Sequence, residues 1–223
     1  MPATAQLPDA IDRCLPVYIA IDTSASMAGD PIETVNDQIG ELIRALAGNS
    51  RLADFVYMSV VAFSDDARTI LPLSRAASSP QILPLVPNGR TNFGDLFREL
   101  RRRIEQDIRN LKDRGGQVYR PLVLLLTDGQ PTDQGWERDF SELTRADWVA
   151  RPNIVTFGFG NADERILTRL ARGAAFVATD NYNTSGNVKN AVRGMVTTIL
   201  DTASTGNLQA PLRVQGYVRL PTS

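Results

Sequence analysis

The sequence predicts an α/β fold: a doubly wound, mostly parallel sheet with one antiparallel edge strand and helices on both faces. Three observations carry that expectation. Short apolar runs alternate along the chain with segments of helical period, which is the pattern of repeated βα units. The run Leu122-Val123-Leu124-Leu125-Leu126 has no polar interruption, as expected of a central strand covered on both sides. A tight turn at Ser64-Asp65-Asp66 then lets Ala67–Leu73 fold back as the antiparallel edge.

Taken in order, residues 1–12 begin Pro- and Ala-rich and read as a flexible N-terminus. Leu15–Ile21 reads as a buried strand ending at Asp22. Asp30-Pro31-Ile32-Glu33 reads as a helix start, with Asp30 as cap, Pro31 at the first helical position and Glu33 closing a capping box. Ile32, Val35, Ile39, Leu42, Ile43 and Leu46 recur at helical spacing until Gly48 ends the run. Phe55–Phe63, rich in Val, Tyr and Phe, is a second strand. Residues 76–90 carry Pro80, Pro84, Pro87 and Gly89 and read as loop with one short helical turn.

A long amphipathic helix follows from Asn92 to about Arg114, with Leu96, Phe97, Leu100, Ile104, Ile108 and Leu111 on one face and Gly115-Gly116 as its stop. Its basic run Arg101-Arg102-Arg103 is flanked by Glu99, Glu105 and Asp107, so it reads as a solvated face. Pro121–Thr127 is the central strand, Trp136–Ala146 a helix, Ile154–Phe159 a strand, Glu164–Ala171 a short helix and Ala175–Ala178 a short strand. The last helix covers about Val188–Ala203, with Val188, Val192, Met195, Val196 and Ile199 facing inward. This is a Rossmann-like arrangement in a single domain over residues 13–205. The tail, 206–223, holds one further strand candidate, Arg213–Leu220, and the sequence assigns it no role.

Composition narrows the chemistry. The 223 residues are 43% hydrophobic and 22% charged, with a net charge of −1, so no global field draws the chain to nucleic acid or to an acidic membrane surface. There is no histidine, which removes His-based triads, the usual general base near neutral pH, and most zinc and iron sites. The single cysteine, Cys14, can form neither an internal disulfide nor a Cys-rich zinc site. No apolar run is long enough to span a bilayer, and Met1–Ala10 lacks a signal pattern, so the expected location is cytoplasmic.

Three short motifs stand where strands should hand over to loops: Asp22-Thr23-Ser24-Ala25-Ser26, Thr91, and Thr127-Asp128-Gly129. In open parallel sheets such strand ends converge at the switch in strand order, where ligands bind. Asp22, Ser24, Ser26, Thr91 and Asp128 supply carboxylates and hydroxyls with no nitrogen or sulfur. That donor set suits a hard divalent cation, Mg²⁺ first, with Mn²⁺ or Ca²⁺ as alternatives. Most of the donors are neutral, so a bound metal would stay electrophilic and could accept a carboxylate from another molecule. The expectation is a metal-assisted grip rather than a catalyst.

Here the sequence resembles the von Willebrand factor A domain with its metal-ion-dependent adhesion site, whose pattern is D-x-S-x-S after the first strand, a mid-chain threonine, and T-D-G after the central strand. All three occur in order, and the resemblance spans roughly residues 13–205. It implies that Ser24, Ser26 and Thr91 ligate the metal through hydroxyls and that Asp22 and Asp128 act directly or through water. Two departures are Ala25, where the family commonly has glycine, and Arg90 beside the threonine, where a small residue is usual and a cation either weakens metal binding or helps an incoming carboxylate. Leu15–Ser24, Asp30–Glu33 and Pro121–Val123 ahead of Thr127–Asp133 look like the TerY-type subgroup of bacterial tellurite-resistance clusters. That likeness implies a scaffold working with a protein kinase and a metal-dependent protein phosphatase, without the Cys-rich zinc module of some members.

Other readings compete. A haloacid-dehalogenase-like phosphatase would use Asp22 as nucleophile and Asp128 with Asp133 as metal ligands. Against it, Ser24 stands where a second Asp is usual, and no lysine occurs between Met1 and Leu111. An adaptor to an AAA+ ATPase is a further alternative. Asp133 either supports the metal ligands from behind or caps a loop. Ser24 lacks a base to activate it as a nucleophile. Gly158-Phe159-Gly160 reads as a strand-end turn, and Trp136 and Trp148 as packing near the Asp128 loop.

Overall fold

The computed structural model describes residues 13–50, 52–78 and 81–222. The flexible start expected for residues 1–12 lies outside them. The described chain folds as β1 (Arg13–Asp22), α1 (Asp30–Ala47), β2 (Val56–Phe63), β3 (Ala67–Arg75), α2 (Phe93–Asp113), β4 (Gln117–Val118), β5 (Leu122–Thr127), α3 (Trp136–Leu143), β6 (Asn153–Gly158), α4 (Glu164–Leu170), β7 (Ala174–Ala178), α5 (Thr184–Thr205) and β8 (Tyr217–Leu220). Short 3-10 turns cover Ala25–Met27 and Ala76–Ser78.

The sheet runs β3-β2-β1-β5-β6-β7-β8, with the two-residue β4 paired to the start of β1. β2, β1, β5, β6 and β7 are mutually parallel, and β3 closes one edge antiparallel to β2, as the turn at 64–66 predicts. A feature the sequence left without a role sits at the other edge. β8, from the tail, pairs antiparallel with β7, placing Tyr217 opposite Ala178 and Leu220 opposite Ala175. Residues 217–220 are therefore part of the sheet, and Tyr217 and Leu220 are buried in it.

Both faces are covered. Leu15, Val17, Ile19 and Ile21 of β1 and Leu122, Leu124 and Leu126 of β5 point into a core shared with α1 and α5. The alternate residues Tyr18, Ala20, Val123 and Leu125 point into a second core with α2 and α3. The period of two is thus kept inside an unbroken apolar run, because each face has its own helical layer. Helix ends depart from the sequence reading at three places, the first at the start of α1. Gly29, not Asp30, is the N-cap of α1, at φ 82° and with no side-chain cap; Asp30 is already helical. A left-handed cap favours glycine because a Cβ is strained there.

α2 starts as expected, with the Asn92 side chain accepting from the Asp95 N–H. Of its basic run, Arg102 is exposed, Arg102 and Arg103 both pair with Glu99, and Arg101 is only half-exposed. α5 begins four residues earlier than its apolar period indicated, because Asn183 caps it by accepting from Gly186 N–H. α3 ends three residues short of the expected Ala146.

Candidate metal site

The strand order turns between β1 and β5: β1 connects to β2 on one side and meets β5 on the other. Ligands bind at such a switch point, beyond the carboxyl ends of the strands. Ile21 and Leu126 are partners in the parallel register, so Asp22 and Thr127 stand side by side at that end. Asp22 is fully buried. Its Oδ1 accepts from Ser24 N–H at 2.9 Å, and its Oδ2 accepts from Thr127 Oγ1 at 2.6 Å.

The chain then makes the 3-10 turn Ala25–Met27, held down by the fully buried Met27 side chain. Ala25 lies in this right-handed turn, a conformation open to any L-residue, so the departure from glycine needs no distortion. The turn brings Ser24 Oγ within 3.1 Å of Ser26 Oγ, and Ser26 Oγ donates to Asp128 Oδ1 at 2.9 Å. One chain of hydrogen bonds therefore joins Asp128, Ser26 and Ser24 and continues to Asp22 through the Ser24 backbone.

Thr91 arrives from a separate loop. It is buried, and a Cβ placed on Gly129 would lie 3.4 Å from its Oγ1, so its hydroxyl sits against the backbone that follows Asp128. The Thr91 carbonyl accepts from Thr132 N–H at 2.9 Å and from Thr132 Oγ1 at 3.1 Å. Its hydroxyl makes no hydrogen bond among the described residues and keeps access to solvent. All five predicted residues are brought together at this strand-end face.

Burial pushes the Asp22 carboxyl up to about 6, against the hydrogen bonds from Thr127 and Ser24 that lower it; nearby Asp128 adds to the rise. Burial also raises Asp128, opposed by the bond from Ser26. Among the described residues no lysine or arginine pairs with either carboxylate. Nor do those residues form a group of three or more His, Cys, Asp or Glu side chains placed to hold a metal ion. A metal held here would therefore depend on the hydroxyl oxygens as well as the two acids. Hard oxygen donors, partial desolvation and a missing countercharge all fit a small divalent cation.

Two residues outside the five-residue ligand set, Thr127 and Asp133, hold the site in place, and for Asp133 the structure shows the loop-capping alternative. Thr127 orients Asp22, as described. Asp133 accepts from Phe93 N–H at 2.9 Å and from Gly94 N–H at 3.0 Å, capping α2 just after Thr91. Both carboxylate oxygens are spent on backbone, so Asp133 serves the loop. The loop before Thr91 is strapped to the β1 turn by Asn88 N–H to Thr23 O at 2.8 Å and Ala25 N–H to Gly89 O at 3.0 Å. Nothing in the residue types at 88 and 89 announces those backbone contacts.

The remaining motifs have structural roles. Gly158 ends β6 and Gly160 turns the chain at φ 60°, as a strand-end turn should. Trp136 is buried among Phe93, Phe97 and Phe140. Trp148 is not near the Asp128 loop: it shares a hollow with Val118 and Pro121 at the start of β5, the opposite end of the strand, under the Arg101 guanidinium.

The sequence model of the von Willebrand factor type A domain matches residues 17–193. No curated protein matches the chain by sequence. Among solved structures, von Willebrand factor type A from Catenulispora acidiphila superposes with a TM-score of 0.63 at 20% identity, covering 84% of this chain and 43% of that one. Proximal thread matrix protein 1 from the mussel byssus gives 0.62 at 16% identity, covering 85% and 49%. The open conformation of the pilus adhesin SpaC from Lactobacillus rhamnosus GG gives 0.62 at 14% identity, covering 85% and 30%. At such identities the likeness is one of fold, and this chain spans less than half the length of each.

Proposed function

The chain belongs to the von Willebrand factor type A domain family, whose members typically serve as protein-interaction modules, and we propose that it is a non-catalytic, metal-dependent one. Asp22, Ser24, Ser26, Thr91 and Asp128 would hold a divalent cation, Mg²⁺ first and Mn²⁺ or Ca²⁺ as alternatives. When bound, the ion supplies an electrophilic position that an aspartate or glutamate of a partner protein can occupy. The observation that carries this reading is the single hydrogen-bonded chain of Ser24, Ser26 and Asp128 oxygens with the Thr91 hydroxyl against the backbone next to Asp128, held by no protein hydrogen bond among the described residues.

The chain's own residues have distinct parts in it. Asp22 supplies charge from a fully buried position and is fixed by Thr127 and the Ser24 backbone. Ser24, Ser26 and Thr91 contribute oxygen without charge, which leaves a cation's demand for a further anion unmet. Asp133 holds the Thr91 loop through both carboxylate oxygens, a use the phosphatase alternative does not call for.

The likeness of Leu15–Ser24 and Thr127–Asp133 to TerY-type sequences extends the proposal to a cytoplasmic, bacterial stress or tellurite-resistance scaffold acting with a protein kinase and a metal-dependent phosphatase. No helix among the described residues is long and apolar enough to cross a membrane. The test is calorimetric titration of the purified chain with MgCl₂, followed by pull-down of purified candidate kinase and phosphatase with Mg²⁺ or chelator. Mg²⁺-dependent capture that disappears in Asp22→Ala supports the reading. Capture unchanged in excess chelator rules it out.

A further inference from the structure

Beside the candidate metal site the surface opens into a groove of about 540 Å³. It starts at Thr23, between Asp22 and Ser24, and runs between the β2–β3 turn and the loop 81–88. Ile70, Ile82 and the buried Leu85 line it, together with Leu83 and Val86, which are 81% and 75% exposed. Two large apolar side chains so exposed on one short loop are a solubility liability unless something covers them.

The loop is not loosely held. Asn36 accepts from Leu85 N–H at 2.7 Å and donates to Leu85 O at 3.1 Å. Asn88 is fixed by its N–H to Thr23 O and by Ser64 Oγ donating to its Oδ1 at 2.8 Å. Leu83 and Val86 are thus presented on a braced backbone, so a ligand that covers them need not order the loop first. The Asp66–Arg68 pair at the groove is mutually neutral and solvent-exposed. It adds no net charge to the groove, and such an exposed pair is weakly held. Arg90 is exposed beside Thr91 and makes no ion pair among the described residues; its backbone N–H donates to the Asp65 carboxylate at 3.0 Å.

Building on the metal-dependent reading above, we propose that this groove selects the partner: its occupant is a segment of a partner protein carrying a bulky apolar residue a few positions from the aspartate or glutamate offered to the metal. The apolar residue packs on Leu83 and Val86, and the acidic residue faces the metal position and Arg90. Charge complementarity is confined to one end of the footprint and apolar surface to the other, which fixes the direction in which the segment lies.

The test uses a random peptide library displayed on phage, panned on the full chain in millimolar MgCl₂, with enriched peptides then synthesised and titrated. The expected motif pairs Asp or Glu with Leu, Ile, Met or Phe within a few positions. Leu83→Ser combined with Val86→Ser should weaken these peptides at least about tenfold, while calorimetric Mg²⁺ binding stays at the wild-type value. Arg90→Glu should weaken them as well. Enrichment of acidic peptides with no apolar preference, or equal binding by the Leu83/Val86 double variant, overturns the groove and leaves the metal reading standing. Failure of the wild-type chain to bind Mg²⁺ in the same calorimeter overturns both.

Discussion

Removing the charge of Asp22 should make the metal-free protein more stable while ending its response to Mg²⁺. The carboxyl is fully buried, and burial lifts it from 3.8 to about 6. At about 1.4 kcal/mol per pKa unit, its ionised form is about 3 kcal/mol less favourable in the folded than in the unfolded chain. In Asp22→Asn the side-chain oxygen still accepts from Ser24 N–H, and the new amide can donate to Thr127 Oγ1. The threonine proton then turns to Gly129 O, already 3.5 Å away. Allowing about 1 kcal/mol for weaker hydrogen bonds, the variant should gain about 2 kcal/mol at neutral pH, or roughly 4–8 °C in Tm for a chain of this size.

The pH dependence follows in sign. The unfolded chain releases the Asp22 proton near its ordinary pKa and the folded chain only near 6. Wild-type stability in chelator therefore falls as pH rises from about 4 to about 6 and is level above that. Because other carboxyls titrate in the same range, the informative quantity is the difference between wild type and variant. Mg²⁺ at a hundredfold excess over its Kd should restore about 2.7 kcal/mol to the wild type and nothing to the variant. Differential scanning calorimetry across that pH range, with chelator and with MgCl₂, measures all of this. A variant that melts at or below the wild type in chelator, or that keeps a Mg²⁺-induced shift, refutes the reasoning.

Three further outcomes are expected. Thr91→Ala removes a hydroxyl with no hydrogen-bond partner among the described residues, so the fold should lose less than about 1 kcal/mol while Mg²⁺ affinity drops at least about tenfold in calorimetric titration. Asn36→Ala takes both side-chain bonds from Leu85; it should cost about 1–2 kcal/mol in guanidinium melts and weaken Mg²⁺ through the loosened loop that carries Thr91. Ending the chain after Gly206 strips β8 from β7 and removes the buried Tyr217 and Leu220. That burial contributes about 4 kcal/mol, so Tm should fall at least roughly 8 °C, read by circular dichroism.

Much of this molecule is legible in its sequence because the two helical layers impose patterns that survive without coordinates. Periods of 3.6 in α1 and α2 and the unbroken apolar run of β5 mark elements covered by a core. β8 is the counterexample. Only Tyr217 and Leu220 of its four residues are buried, while Val218 and Arg219 are exposed. With so little apolar surface and no neighbour implied by its position after α5, its pairing with β7 leaves almost no trace in composition. α5 likewise begins with the polar run Thr184-Ser185-Gly186-Asn187, where capping by Asn183 rather than apolar spacing sets the boundary. At the site, residue types identify the five candidate donors, but the clamp by Thr132 and Asp133 and the strap at Asn88 and Gly89 rest on backbone geometry.

What the sequence could not state is which strands are neighbours, and that is what assembles the site. Asp22 and Thr127 are 105 residues apart, with α1, β2, β3, α2 and β4 between them, yet the parallel register that pairs Ile21 with Leu126 sets them side by side. A slip of one residue between β1 and β5 would turn Asp22 toward the opposite face and bury its charge against an apolar layer. It would also drive Leu15, Val17, Ile19 and Ile21 out of the α1–α5 core they now fill. The same packing that determines the register therefore determines the distance between the carboxylates. Thr91 reaches them only because Thr132, Asp133 and Gly89 tie its loop to the ends of β5 and β1. Cation binding as proposed would in this sense report on the register of the central strands, and a core substitution that loosened β1 against β5 should weaken Mg²⁺ before it unfolds the domain.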